Sequence, residues 1–169
     1  MKYAQIAFGG GCHWCTEAIF QSLKGVKSVE QGYVASNGKN ESFSEAVIVN
    51  FNSDCINLKT LIEIHLHTHK STSDHSMRTK YRSAVYVFSE EQHEEVNIVL
   101  TDLNKDFNQK LITKVLPFIK FKASREQIRN YYYKNPTKPF CEEFINPKLK
   151  LLIKQFKKTV DMDKVNHLI

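Results

Sequence analysis

The densest concentration of chemically capable residues is GGGCHWCTEAIF, residues 9–20. Cys12 follows three glycines and opens a stretch in which Ala18, Ile19, Phe20 and Leu23 fall at helical spacing. Glycines let the backbone turn sharply and approach a ligand closely. Unpaired amides at a helix N-terminus favour negative charge. A free thiol ionises at a pKa of roughly 8.5, and such a position lowers it. The spacing therefore predicts a thiolate nucleophile at Cys12, with anion-binding amides beside it. Cys15 lies three residues on, so the same stretch fits a dithiol redox pair or half of a zinc site. His65, His67, His69 and His75 would supply the other half. Two alternatives stay open on these residues: a CxxC thiol–disulfide oxidoreductase, and a binding module that holds zinc or, through its basic charge, nucleic acid.

The elements around this turn read as a mixture of strands and helices. Ala4, Ile6 and Phe8 alternate along 3–8, which suits a strand ended by the glycines. Val26 to Ala35 reads as a strand broken by Gly32, and EAVIVNF at 45–51 as a buried one. Asn57 caps a helix carrying Leu58, Leu61, Ile62 and Leu66. Ser83 to Phe88 is a strand, and Ser89 with Gln92 forms a capping box for the next helix. Leu111 to Phe121 reads as one strand disturbed at Pro117. Ser124 with Gln127 opens a short helix, and Asn146 with Pro147 caps the last one. The expected fold is α+β, a single domain over 1–169, with a mixed β-sheet and helices packed on it.

Composition narrows the function classes. The 169 residues are 41% hydrophobic and 25% charged, with a net charge of +6. A chain of this length buries a sizeable core without metal or disulfide. The run KLKLLIKQFKK at 148–158 reads as the solvated face of a helix whose Leu149, Leu152, Ile153 and Phe156 pack inward, rather than as a nucleic-acid or membrane surface. The start, MKYAQIAFGGG, lacks the pattern of a signal peptide. A cytoplasmic protein is expected, with Cys12, Cys15, Cys55 and Cys141 mostly reduced.

Several segments together resemble the A-type peptide methionine sulfoxide reductases. GCHWCTEAIF is similar to that family's active-site signature, Gly-Cys-Phe-Trp followed by Glu. QGYVAS looks like its Gly-Tyr segment, SEAVIVNF like its His-Ala-Glu-Val-Val strand and KYRSAVY like its Gln-Tyr-Arg-Ser-Ala-Ile-Tyr segment. NYYYKNPTKPFCEEFINPKL resembles its C-terminal segment. These matches occur in family order from residue 8 to residue 149.

The resemblance implies a ferredoxin-like core and reduction of methionine S-sulfoxide, free or in proteins, without metal or organic cofactor. Cys12 would be the nucleophile and become a sulfenic acid. Glu45 would supply the proton that makes the sulfoxide oxygen a leaving group. Tyr33 and Tyr81 would bind that oxygen, and Trp14 would wall the pocket for the S-methyl group. Thioredoxin or another thiol would return the electrons, either directly or through Cys141, the better match, or Cys15, where one helical turn strains a direct disulfide. Tyr131 matches a C-terminal tyrosine near the site. A monomer that contacts neither nucleic acid nor membrane is expected.

Three positions depart from the family pattern. His13 stands where Phe is usual, next to the methyl pocket, and brings a titratable ring. Ser44 stands where His is usual. The loop STSDHSMRTKYRS lacks the family's substrate-binding Asp at the matching distance, and Asp74 with His75 are the nearest polar substitutes.

Overall fold

The structure is a computed structural model and describes residues 2–169. Six strands form one sheet in the order β5-β4-β1-β3-β2-β6. They are β1 (Tyr3–Gly9), β2 (Val26–Ala35), β3 (Ser44–Asn52), β4 (Ala84–Val87), β5 (Lys114–Pro117) and β6 (Lys120–Ala123). The four inner strands, with α1 (His13–Gln21) between β1 and β2 and α2 (Leu58–Thr68) between β3 and β4, have the split β-α-β arrangement of a ferredoxin-like core. All pairings are antiparallel except β4 with β5. This is the expected α+β fold with a mixed sheet.

Helices cover one face. Ile6 and Phe8 of β1, Val47, Val49 and Phe51 of β3, and Val85 and Val87 of β4 meet Ala18 and Ile19 of α1 and Leu61 and Ile62 of α2. Val96 and Val99 of α3 (Glu90–Leu103) and Leu149 and Leu152 of α5 (Asn146–Phe156) complete this core. Asn57 caps α2 as expected, its side chain accepting from the Thr60 amide at 2.8 Å. Such a cap contributes about 1 kcal/mol. Ser89 does the same for α3 through the Gln92 amide, and Gln92 reaches back to the amide of Phe88.

The opposite face buries a second, smaller cluster: Ala7, Val34, Ala46, Ile48, Ala84, Tyr86 and Leu116. Its shape follows from the connection between β5 and β6. The segment 111–121, read as one strand, is two strands on opposite edges of the sheet. Pro117, which has no amide proton, ends β5. Phe118 then donates to Val87 of β4 and Ile119 to Ala35 of β2. Two linking residues span about 11 Å between flanking Cα atoms. A flat six-stranded sheet would separate its edges by about 24 Å. The sheet must therefore curl until its edges converge, and the alanines at 7, 46 and 84 leave room inside the curl.

Other local expectations need correction. β2 runs unbroken through Gly32, whose missing side chain lets β6 approach: a Cβ there would lie 2.3 Å from the Lys122 carbonyl oxygen. Ser124 caps nothing; its hydroxyl is buried without a partner, and a single 3-10 turn follows at Glu126–Ile128. Asn146 is not a cap either. A π-turn over Cys141–Ile145 runs straight into α5, and the Asn146 side chain accepts instead from the Tyr132 hydroxyl at 2.6 Å. On α5, Leu149 and Leu152 are buried while Lys150 and Lys154 face solvent, which matches the solvated-face reading. Among the described residues no helix is long and apolar enough to cross a membrane.

Candidate active site

Strand register gathers the chemistry at one end of the sheet. Gly9 is opposite both Ala46 and Ala84, so the glycine turn after β1 lies beside Glu45 and the residues leading into β4. Tyr33 pairs with Glu45 across β2 and β3. Gly10 has to be glycine for a packing reason. A Cβ there would sit 2.5 Å from the ring of His69, at the end of α2.

Cys12 is the N-cap of α1. Its carbonyl accepts from the amides of Cys15 and Thr16 at 3.1 and 3.2 Å. Its sulfur takes hydrogen bonds from the Cys15 thiol and from the backbone of Trp14 and Cys15. The Cys15 thiol contributes most. Together these donors hold the Cys12 thiol below its ordinary pKa, against partial burial and the nearby charge of Glu45. Cys15 keeps the proton: its own thiol is pushed far up by the same hydrogen bond and by burial. The two sulfurs one helical turn apart thus behave as one thiolate and its donor.

Glu45 is buried beside this pair, 7% exposed. It accepts from the His13 amide at 3.2 Å, and Lys80 stands 3.7 Å from its other oxygen. Ser44 pins the approach to β4: its hydroxyl donates to the Lys80 carbonyl at 2.9 Å and accepts from the Arg82 amide at 2.8 Å. Tyr81, held between those contacts, lines a cleft of about 370 Å³ that also contains Cys12, Cys15, Met77, Phe140 and Phe144. Larger cavities of about 420 and 450 Å³ elsewhere are lined by no thiol.

A second wall comes from the C-terminal segment. The Trp14 indole stacks on Tyr131 at 4.0 Å and meets Phe140 edge-on at 5.2 Å. Tyr131 opens the short helix α4 (Tyr131–Lys134) after Asn130, which takes a left-handed backbone at φ 54°. The buried Glu17 carboxylate anchors this corner. It accepts from the amides of Asn130 and Tyr131 at 2.9 and 3.0 Å and from Gln31 at 2.9 Å. Burial raises the Glu17 pKa, and these donors partly offset that. Cys141 is fully buried in the same core cluster as Cys15. Cys55 is exposed in the turn between β3 and α2, away from the cleft.

The candidate residues are thus mostly brought together: Cys12, Cys15, Glu45, Tyr33 and Tyr81 around the turn, with Trp14 and Cys141 against its wall. Two expectations fail. Asp74 lines a separate cavity with Arg78, Arg82 and Lys110, while His75 reaches the cleft; the shortened loop carries the carboxylate past the site. His13 does not face the cleft. Its ring is 4% exposed and turns to the Gly32 carbonyl, 2.7 Å away. The proposed zinc ligands are engaged elsewhere. His65 Nε2 donates to Gly9, and His69 Nδ1 donates to His65 while its Nε2 accepts from Ser83. Among the described residues no group of three His, Cys, Asp or Glu is placed to hold a metal ion.

Sequence reasoning missed Glu17, Lys148, Phe140 and Phe144. Glu17 did carry a signal, as the one charged side chain in an apolar stretch after Cys12. Lys148 did not: it sat in a lysine run, yet it is mostly buried, donates to the Thr68 carbonyl and places its charge near both thiols.

Comparison with known proteins agrees with this arrangement. The family model for peptide methionine sulfoxide reductase matches residues 4–160. Peptide methionine sulfoxide reductase MsrA of Trichodesmium erythraeum is 36% identical over 167 residues, covering 89% of this chain and 94% of that protein. Among solved structures, the reduced form of Mxr1 from Saccharomyces cerevisiae shares the fold with a TM-score of 0.73 at 22% identity, covering 83% of this chain and 90% of that one. Mxr1 in complex with Trx2 matches with a TM-score of 0.62 at 22% identity, over 75% of this chain and 84% of that one. The extent of the family match and the identity to its members, over a chain whose cysteine turn and buried glutamate are already in place, show that this chain belongs to the peptide methionine sulfoxide reductase family.

Proposed function

We propose that this protein reduces the S epimer of methionine sulfoxide, free or within oxidised proteins, and so repairs oxidative damage. The observation that carries the reading is the Cys12 sulfur, stabilised as a thiolate by the Cys15 thiol and two amides, beside the buried carboxyl of Glu45. The thiolate attacks the sulfoxide sulfur; the S–O bond breaks, the protonated oxygen passes to the Cys12 sulfur, and methionine leaves. Cys12 is oxidised to a sulfenic acid and the substrate sulfur is reduced to methionine. The step consumes one proton, which Glu45 delivers to the oxygen. Tyr33 and Tyr81 are neutral donors for that oxygen, and Trp14, braced by Tyr131, forms the apolar wall for the S-methyl group. Exchanging oxygen and methyl would leave the oxygen unpaired against that wall, which selects one epimer.

The sulfenic acid then condenses with a thiol, releasing water and leaving a disulfide. Cys15 and Cys141 are the thiols at hand. A dithiol protein of the thioredoxin type reduces that disulfide; the Trx2 complex of the similarly folded Mxr1 supports such a partner. A monomer in the cytoplasm, where free thiols persist, suits this cycle.

The test is incubation with racemic methionine sulfoxide and excess dithiothreitol, with both epimers followed by chiral separation. Loss of the S epimer alone, abolished in Cys12→Ser, is expected. Consumption of neither epimer above the Cys12→Ser background would overturn the reading. The Cys12–Cys15 contact also favours a second reading, a dithiol oxidoreductase. Cys15→Ser separates the two, because it would abolish disulfide exchange yet keep a single turnover of sulfoxide.

A further inference from the structure

The contacts of His13 specify where its protons are. Nδ1 lies 2.7 Å from the Gly32 carbonyl oxygen. A carbonyl only accepts, so Nδ1 carries a hydrogen. In the neutral ring Nε2 then presents a lone pair, and that atom is 3.4 Å from Glu45 Oε1. A lone pair facing an ionised carboxylate gains nothing. The pair is favourable when it holds one more proton, as a carboxylic acid beside a neutral ring or as a carboxylate beside an imidazolium. Both side chains are below a tenth exposed, so little water intervenes.

We propose that His13 and Glu45 hold this proton jointly, and that His13 is the positioning residue that keeps Glu45 loaded as the acid for the substrate oxygen. The inference deepens the sulfoxide-reductase reading and rests on it for the proton's destination. In the reductive step the pair gives its one proton to the oxygen that leaves the substrate sulfur for Cys12. It ends as a carboxylate beside a neutral ring. Solvent reloads it while the sulfenic acid is reduced. Charged and polar groups face the pair from three elements. From α1 come the Cys12 thiolate and the Glu17 carboxylate, both of which register charge on this pair. Lys80, before β4, lies 3.7 Å from Glu45. From β2 come only the Gly32 carbonyl and the edge of the Tyr33 ring, 5.1 Å from His13.

The experiment compares single-turnover consumption of the S epimer by wild type, His13→Gln and His13→Phe between about pH 5.5 and pH 8.5. Gln can donate to Gly32 but cannot hold a proton beside Glu45. Both variants are expected to lose about tenfold more activity at the alkaline end than at the acid end, because Glu45 alone unloads earlier. Equal losses across the range, or restoration of the wild-type profile by Gln, would reduce His13 to a packing role and overturn the proposal. Thermal melting and Cys12 alkylation show that each variant is folded. A second readout needs no substrate. The ring nitrogens of labelled His13, followed by NMR, should titrate differently in Glu45→Gln, and an unchanged titration would also overturn the pair. If wild type consumes no sulfoxide while the NMR coupling is present, the reading of the reaction fails and the pair survives.

Discussion

The two walls of the cleft are built on different principles. The cysteine turn, Glu45 and Tyr33 are held by strand register, with backbone ladders on both sides of β3. The C-terminal wall of Tyr131, Phe140 and Cys141 is outside the sheet. It is held by one buried carboxylate, a left-handed residue and a stack of rings. Register leaves the reacting groups little freedom. Side-chain anchoring places a second thiol beside Cys15 at the cost of depending on few contacts. The anchors also differ in how they respond to acid. The turn is packed against His65 and His69, which burial keeps neutral, His65 well below its ordinary pKa and His69 at about 3. The wall depends on Glu17, which burial raises.

The largest expected effect comes from cutting the wall's anchor. Glu17→Ala leaves the backbone amides of Asn130 and Tyr131 without this acceptor and the Gln31 side-chain amide with the Ile128 carbonyl alone. A loss of about 3 kcal/mol is expected from urea unfolding. Trp14 fluorescence, the sole tryptophan signal, should change while the sheet stays intact. If strand amide exchange changed as much as exchange in 125–145, the two regions would be one unit and the comparison would fail.

Acid should separate them next. For His65 and His69 the unfolded state binds more protons once pH falls below about 6.5, so stability falls from there toward the folded value. At pH 5 His69 alone accounts for about 2 kcal/mol, from 1.5 units at 1.36 kcal/mol each. Glu17 has the opposite sign: its folded state keeps a proton that the unfolded state loses, so its contribution falls as pH rises above its ordinary value. Hydrogen exchange at pH 5 should therefore loosen the end of β1 and α2 before the segment 125–145. Faster exchange in that segment first would reverse the assignment.

The smallest effect probes the turn itself. Cys15→Ala removes the main donor to the Cys12 sulfur, whereas Cys15→Ser keeps one. Alkylation of Cys12 against pH should shift to higher pH in Ala, and by less in Ser. Equal shifts would mean that the backbone amides dominate.

What was legible from sequence follows from range. β1, β3 and α2 showed plainly because alternation, β-branched runs and an Asn cap are local signals. The 111–121 segment misled because one apolar stretch serves two edges, and only closure of the sheet splits it at Pro117. Ser124 and Asn146 have cap chemistry, but their polar groups went to a buried dead end and to Tyr132. His13 was expected at the substrate because it stands where the family has Phe; the ring instead follows the partner that satisfies its Nδ1. Asp74 was chosen by type, and loop length carried it into another cavity.

The sequence by itself pointed to Cys12 as the candidate nucleophile. A cysteine after three glycines at a helix start, with a second thiol one turn on, has its donors close in sequence, and the order of the motifs assigned the family. Tertiary structure alone decided that Glu45 stands beside His13, and with it the pairing proposed for the two. That pairing joins residues 32 positions apart, and its energy depends on burial and direction. Both come into being only when the strands are in register and water has been excluded.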